Sequence, residues 1–169
     1  MSLIVRRMTV EDVSAAHEID VLSFALPWPE RSIRFEVTDN PAARCWAAEL
    51  DDRLVGMLVL WLILDEAHIA TLAVHPDFRG QGVAKNLLIE ALISAFNEGA
   101  QSALLEVRAG NQTAQKMYKA FGFEIVGLRE RYYKDNKEDA ILMTLSRLPV
   151  EPLSRASVEV EKRENKITG

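Results

Sequence analysis

The sequence predicts an α/β fold of the α+β kind, a mixed, mostly antiparallel sheet of about seven strands flanked by about four helices. Three observations carry that expectation. Apolar strand-like runs at residues 45–50 and 54–64 flank Asp51-Asp52-Arg53, the chemistry of a hairpin turn, so the sheet is antiparallel there. An apolar strand at 69–74 passes through a Pro turn and two glycines into a long amphipathic helix, and another strand follows at 102–108. Two strands joined by a helix lie parallel. Near the N-terminus Val13, Ala16, Ile19 and Leu22, with Val21 flanking, stripe one face of a helix.

Taken in order, residues 4–8 read as a first short strand. Thr9 with Asp12 supplies an N-cap and an acidic first turn for a helix running to about Phe24. Leu26-Pro27-Trp28-Pro29 cannot continue it, because each proline fixes φ and removes a donor. A second helix, about 30–37, sets Ile33 and Val37 one turn apart and stops at Asp39-Asn40-Pro41. After the hairpin, Asp65-Glu66 makes another turn into the strand at 69–74. The helix from Gly82 to about Asn97 carries Leu87, Leu88, Ala91, Leu92 and Ala95 at helical spacing and ends at Gly99. Beyond the strand at 102–108, Asn111 is suited to cap a short helix and Gly122 to end it. Strands at 123–127 and 140–148 come last, joined by a charged and aromatic segment, 129–139. One domain over 1–148 is expected, with a Glu-, Lys-, Arg- and Ser-rich tail, 149–169, expected to be disordered.

A chain of 169 residues, half apolar and a quarter charged, suits one globular domain. The longest apolar run, 55–64, is too short to cross a bilayer, and no apolar segment of signal-peptide length opens the chain, so a cytoplasmic protein without a membrane partner is expected. A single cysteine, Cys45, excludes an intrachain disulfide and a cysteine-only zinc site, and His17, His68 and His75 show no metal-ligand spacing. A net charge of −5 disfavours broad nucleic-acid binding and suits a cationic substrate.

The stretch from Leu72 to Ala84 is where chemistry first becomes legible. Strand, glycine-bearing loop and helix start put free backbone N–H groups at a helix N-terminus, where an anion is favoured. Gly80 and Gly82 permit close backbone approach, and Arg79 adds positive charge. The spacing is not that of the nucleotide P-loop, since Ala84-Lys85-Asn86 follows Gly82 and offers no Ser or Thr for magnesium. Nor is it Gly-x-Gly-x-x-Gly, because Lys85 stands three after Gly82.

Arg79, Gly82 and Ala84 match the Gln/Arg-x-x-Gly-x-Gly/Ala signature, and here the chain resembles the GCN5-related N-acetyltransferases (GNAT). The element order is that of the GNAT fold over residues 3–148. Further segments resemble one branch, the bacterial ribosomal-protein-alanine N-acetyltransferases: Phe24-Ala25-Leu26-Pro27-Trp28, Leu64-Asp65-Glu66-Ala67, Leu105-Glu106-Val107-Arg108-Ala109-Gly110-Asn111, and Arg131-Tyr132-Tyr133 followed by Glu138-Asp139-Ala140-Ile141. The resemblance implies acetyl-CoA as co-substrate and no metal. It implies that Arg79, Gly80, Gln81, Gly82, Val83, Ala84 and Lys85 bind the pyrophosphate, with Asn111 also contacting the coenzyme. Backbone groups of Leu72, Ala73 and Val74 are implied to align the pantetheine arm where two parallel strands part.

Acetyl transfer to an amine needs the amine neutral, a donor for the carbonyl oxygen and a proton for the leaving sulfur. Glu106, in an apolar strand with Leu104, Leu105 and Val107, is the candidate base, although the residues read equally as a strand glutamate paired with Arg108 or facing water. Tyr118 lies two helical turns after Asn111 on the same face and is the candidate acid; that face also holds Ala114, Met117 and Phe121, so it reads too as a core tyrosine. The resemblance assigns both their catalytic roles. It also implies that Trp28, Asp65, Glu66, Tyr132 and Tyr133 border the acceptor groove, for which the branch's usual acceptor is the N-terminal alanine of a small-subunit ribosomal protein. His75, before a proline at a strand end, and Cys45, in a hairpin strand, are lesser candidates for base and nucleophile. Other protein N-termini, lysine or small amines remain rival acceptors. A non-catalytic coenzyme A-binding module is the rival of another class, and it predicts loss of Glu106 or Tyr118, both of which are present.

Overall fold

A computed structural model describes residues 2–147, so the tail expected from residue 149 lies outside the described residues. In chain order the strands and helices are β1 (Leu3–Arg7), α1 (Val13–Ser23), α2 (Glu30–Thr38), β2 (Ala43–Leu50), β3 (Arg53–Ile63), β4 (Glu66–Val74), α3 (Val83–Asn97), β5 (Ser102–Arg108), α4 (Gln112–Ala120), β6 (Glu124–Arg129) and β7 (Ala140–Leu145). The seven strands form one sheet in the order β1-β2-β3-β4-β5-β7-β6, and only β4 and β5 run parallel. That is the mixed, mostly antiparallel sheet with four helices that the sequence predicts.

The β2–β3 hairpin closes through Asp51 and Asp52, both at positive φ (50° and 63°), the backbone that matches the twist of the strands it joins. The next turn differs from expectation. Leu64 and Asp65 make it, with Leu64 at φ 55°, while Glu66 already pairs with Ile63 as the first residue of β4. Thr9 and Asp12 do start the first helix, the Thr9 N–H donating to Asp12 Oδ2 at 2.7 Å, but through a 3-10 turn that precedes α1. The predicted stripe holds at Val13, Ala16 and Ile19, all buried, and fails at Leu22, which is 48% exposed. Buried Asp20 faces inward instead, because its Oδ2 accepts the Trp28 N–H at 2.6 Å and pulls the chain between α1 and α2 back onto the helix end. Of the last two strands, β6 runs two residues further than the expected 123–127, and β7 starts at Ala140 as expected and ends at Leu145, the expected end at 148 lying outside the described residues; β7 lies between β5 and β6.

Two cores sandwich the sheet. On one face α3 buries Leu87, Leu88, Ala91, Leu92 and Ala95 against Leu58, Leu60, Ala67, Ile69, Ala103 and Leu105. Each leucine so buried stabilises the fold by roughly 1.5–3 kcal/mol. On the other face α1 and α2 pack Val13, Ala16, Ile19 and Ile33 against Met57, Val59 and Ala73. Gly56 on β3 sets how closely α3 approaches: a Cβ there would sit 2.9 Å from Val83 and 3.0 Å from Leu87. The helix N-terminus is thereby held down over the end of β4. Among the described residues no helix is long and apolar enough to cross a membrane.

Candidate active site

β4 and β5 pair only at Glu66↔Ser102, Ala67↔Ala103 and His68↔Leu104, after which they part. The parting begins where β4 carries an extra residue. Against β3, Leu60 pairs with Ile69 but Val59 pairs with Thr71, leaving Ala70 as a bulge that bends the strand. From there to Val74, among the described residues, the edge of β4 facing β5 has no strand to pair with. A cleft of about 560 Å³ opens beside it, lined by Leu72, Ala73 and Val74, by the loop into α3 and by one face of α4.

The loop has the geometry of an anion cradle. Gly80 and Gly82 adopt φ of 76° and 82°, a left-handed backbone that other residues enter only at a cost. A Cβ at Gly80 would meet nothing within 4 Å and one at Gly82 only Asn86 Nδ2 at 3.9 Å, so the space above the loop is open. The first N–H groups of α3 have no intrahelical acceptors, and Gly82 offers no capping side chain. Arg79 is held differently from expectation. Its Nε donates to the Val74 carbonyl at 3.0 Å and Nη2 donates to Ser23 Oγ at 3.2 Å, so the guanidinium ties α1 to the end of β4 while lending its charge to the loop. Arg79, Gly80, Gly82, Val83, Ala84 and Lys85 line the cleft; Gln81 does not. These donors and this open glycine backbone fit a diphosphate, and the unpaired edge of β4 fits an extended amide chain.

Asn111 caps α4, its Oδ1 accepting the Ala114 N–H at 3.1 Å, and with Ala114, Met117 and Tyr118 it lines the cleft. Tyr118 is 7% exposed and packs edge-on against Phe123. Burial, with the neighbouring Tyr133 phenol adding to it, pushes the Tyr118 hydroxyl up to about 12.

Glu106 lies on the opposite face of the sheet from Tyr118. Strand alternation turns Leu105 and Val107 toward α3, so the apolar neighbours expected to surround Glu106 point away from it. Its partner is His68 across the parting strands, with Nε2 to Oε2 at 3.0 Å. Arg108, the partner weighed from sequence, is engaged elsewhere: Nη1 donates to Asp135 Oδ1 at 3.1 Å and to Glu138 Oε1 at 3.3 Å, and the guanidinium lies 3.9 Å from the Tyr133 ring centroid. Glu138 Oε2 also accepts the Gly110 N–H at 2.7 Å. These bonds clamp the β6–β7 connection over the end of β5. Tyr133 is thereby within electrostatic reach of both Glu106 and Tyr118, and burial raises its own hydroxyl above the usual phenol range. Tyr132 stands edge-on beside it.

Trp28 stacks on Trp61 (centroids 6.4 Å apart, planes 5° apart), and Trp61 meets His68 edge-on at 5.4 Å, so an aromatic wall runs up to Glu106. Asp65 and Glu66 are not brought to this spot. The Asp65 carbonyl accepts the Gln101 N–H at 2.7 Å, and Glu66 pairs with Ser102, about 13 Å down β5 from Glu106 at ~3.3 Å per residue. His75 is committed to structure, its Nδ1 accepting the Asp77 N–H at 3.1 Å. Cys45 is buried and its thiol is pushed up to about 12, chiefly by burial. Sequence reasoning missed Ser23, Phe24, Phe78 and Thr113 in the cleft and His68 and Trp61 beside Glu106. His68 is 38 residues from its partner, and no local pattern signals such a pair. Among the described residues no cluster of His, Cys, Asp or Glu is placed to hold a metal.

Residues 13–123 match the model of the acetyltransferase (GNAT) family. A Bacillus subtilis (strain 168) protein provisionally named ribosomal protein bS18-alanine N-acetyltransferase is 38% identical over 139 residues, 82% of this chain and 92% of the relative. The ribosomal protein bS18-alanine N-acetyltransferase of Salmonella typhimurium is 32% identical over 142 residues, 82% of this chain and 93% of the relative. Among solved structures, the ribosomal-protein-S18-alanine N-acetyltransferase of Escherichia coli superposes with a TM-score of 0.80 at 27% identity, covering 88% of this chain and 96% of that one.

Proposed function

Because the chain belongs to the acetyltransferase (GNAT) family and is an N-acetyltransferase, we propose that its acceptor is the N-terminal α-amine of a protein, namely the N-terminal alanine of a small-subunit ribosomal protein. The observation that carries the reading is the gap between β4 and β5, with Glu106 on one face of the sheet and Tyr118 on the other. Acetyl-CoA, once bound, supplies an activated acetyl group on a sulfur leaving group. The loop from Arg79 to Lys85 holds its phosphates, Asn111 borders it, and the free backbone edge at Leu72, Ala73 and Val74 takes up its extended arm. N–H groups on that edge are available to the acetyl carbonyl oxygen.

Glu106 takes the proton of the acceptor ammonium, directly or through water. A protein α-amine near ~7.7–8 is partly neutral at pH 7, so one modest base suffices; a lysine near ~10.4 demands about 3.5 kcal/mol more. Tyr118 keeps its proton across the physiological range and holds it for the departing sulfur. Trp28, Tyr132 and Tyr133 flank the acceptor's first residues. Asp65 and Glu66 stand about 13 Å from Glu106 along the paired part of β4 and β5, so at ~3.3 Å per residue only about the fourth residue of an extended acceptor would meet them. A ribosomal-protein acceptor implies action in the cytoplasm.

The experiment is intact-mass analysis of the purified protein with acetyl-CoA and a panel of acceptors: an alanine-starting peptide, peptides with other first residues, an N-terminally blocked lysine peptide and a polyamine. One added acetyl on the alanine peptide, at a rate well above the others, is the expected result. Preference for the lysine peptide or the polyamine would overturn the proposed acceptor.

A further inference from the structure

We infer that His68 is the positioning residue for Glu106, tying its carboxylate across the mouth of the gap so that one oxygen faces the acceptor amine. The inference rests on the reading of Glu106 as base. His68 forms the last rung of the parallel ladder, and Glu106 stands two residues beyond its rung partner Leu104. Past that rung no backbone hydrogen bond fixes the distance between the two strands. Among the described residues, the bond from His68 to Glu106 is the side-chain hydrogen bond that spans them there. An ionised carboxylate only accepts, so the imidazole donates from its Nε2–H to Oε2 at 3.0 Å, leaving Oε1 for the amine.

Left alone, a glutamate's terminal torsion is broad and two-fold, and the carboxylate would turn freely. Here both side chains are largely but not wholly covered, 23% exposed for His68 and 18% for Glu106, which leaves room for an acceptor. The imidazole is itself held. Trp61 meets it edge-on, the Trp61 Nε1–H donates to Glu36 Oε2 at 3.0 Å, and that oxygen accepts from Asn40 Nδ2 at 2.7 Å. A linked row of side chains thus runs from α2 across the sheet to the base. The rival for the carboxylate is Arg108, on the same face two residues on, and Asp135 and Glu138 hold it away. A guanidinium paired with Glu106 would quench its basicity; an imidazole N–H orients it at less cost.

The test compares His68→Phe, His68→Ala, His68→Gln, Glu106→Gln and the double variant H68F/E106Q, using the best acceptor of the panel above. H68F is expected to lower kcat ~10- to 100-fold, the cost of a misplaced reacting group, with KM for acetyl-CoA within about twofold. H68Q, whose amide still donates, is expected to recover most of that loss, which a purely structural role would not predict. In the E106Q background H68F is expected to add nothing, because the group it positions is gone. Melting curves check folding, and H68A carries the same comparison if Phe disturbs Trp61. Wild-type kcat in H68F and H68A with a deep loss in E106Q would overturn the role of His68 alone. An equal further loss on adding H68F to E106Q would overturn it as well. Full activity in E106Q would instead remove Glu106 as the base.

Discussion

In the Y118F variant the ring keeps its edge contact with Phe123, centroids 5.6 Å apart and planes at 62°, and gives up one oxygen. Tyr118 is buried, and among the described residues its hydroxyl has no hydrogen-bond partner, so the change orphans no donor or acceptor. The hydroxyl opens into the cleft and is not a buried polar atom left without a partner, so its loss relieves no desolvation penalty and the melting temperature should hold. Catalysis should not hold. The phenol is pushed up to about 12 from an ordinary 10.0, chiefly by burial, which favours keeping its proton. A free thiolate near ~8.5 is too weak a base to take that proton outright. Transfer therefore has to accompany C–S cleavage, when charge collects on sulfur inside a cleft that raises its basicity too. This puts the benefit at the low end of what a positioned acid contributes, ~10²-fold or about 2.7 kcal/mol. Thiol-release kinetics, calorimetric binding of acetyl-CoA and thermal melts give the three readouts. A ~10²-fold loss of kcat is expected, with binding and melting temperature unchanged. The wild-type pH profile should rise through the acceptor amine near ~8 and stay flat to about pH 10, because the raised phenol does not ionise below that. A Y118F kcat within twofold of wild type would refute the reasoning, and a matching loss of acetyl-CoA affinity would reduce Tyr118 to a wall of the cleft.

Three further changes probe other parts. Gly82→Ala places a Cβ on a backbone at φ 82° without a clash inside the protein, so it should cost about 1–2 kcal/mol of stability, read by denaturant melts, and raise KM for acetyl-CoA more than KM for the acceptor. Arg108→Ala removes the clamp on the β6–β7 connection and should raise the acceptor KM severalfold while calorimetric acetyl-CoA affinity stays near wild type; loss of coenzyme affinity alone would show the clamp serves the other substrate. Burial raises the Asp20 carboxyl above the usual range, so folding disfavours its ionised form relative to the unfolded chain. Its contribution is fully present below the unfolded carboxylate value and is lost as pH rises through the folded one. Asp20→Asn keeps an acceptor for the Trp28 N–H and removes the buried charge, so stability at pH 7 should hold or rise by up to about 1 kcal/mol, whereas Asp20→Ala should lose about 1–3 kcal/mol; urea melts at pH 4 and 7 separate the two.

Much of the fold and part of the site can be read from residues close together in the chain. Asp51-Asp52 announces its hairpin, and the seven-residue step from Asn111 to Tyr118 puts cap and phenol on one face of α4. The loop around Gly80 and Gly82 is legible because a left-handed backbone and a helix N-terminus are local matters. The reading goes astray where packing at a distance intervenes. Leu22 continues a helical stripe, yet Asp20 takes the inward place because Trp28 returns to it; Leu105 and Val107 flank Glu106 in sequence and turn their backs on it in space.

Backbone sterics and helical or strand periodicity act over a few residues, and they were enough to specify the elements, their order and the glycine loop at the start of α3. The rung at which β4 and β5 part, the insertion of β7 between β5 and β6, the bond from His68 to Glu106 and the approach of Tyr133 to both candidate catalytic groups follow from folding. Each depends on strand register and core packing summed over residues tens of positions apart, which no short window of the chain contains.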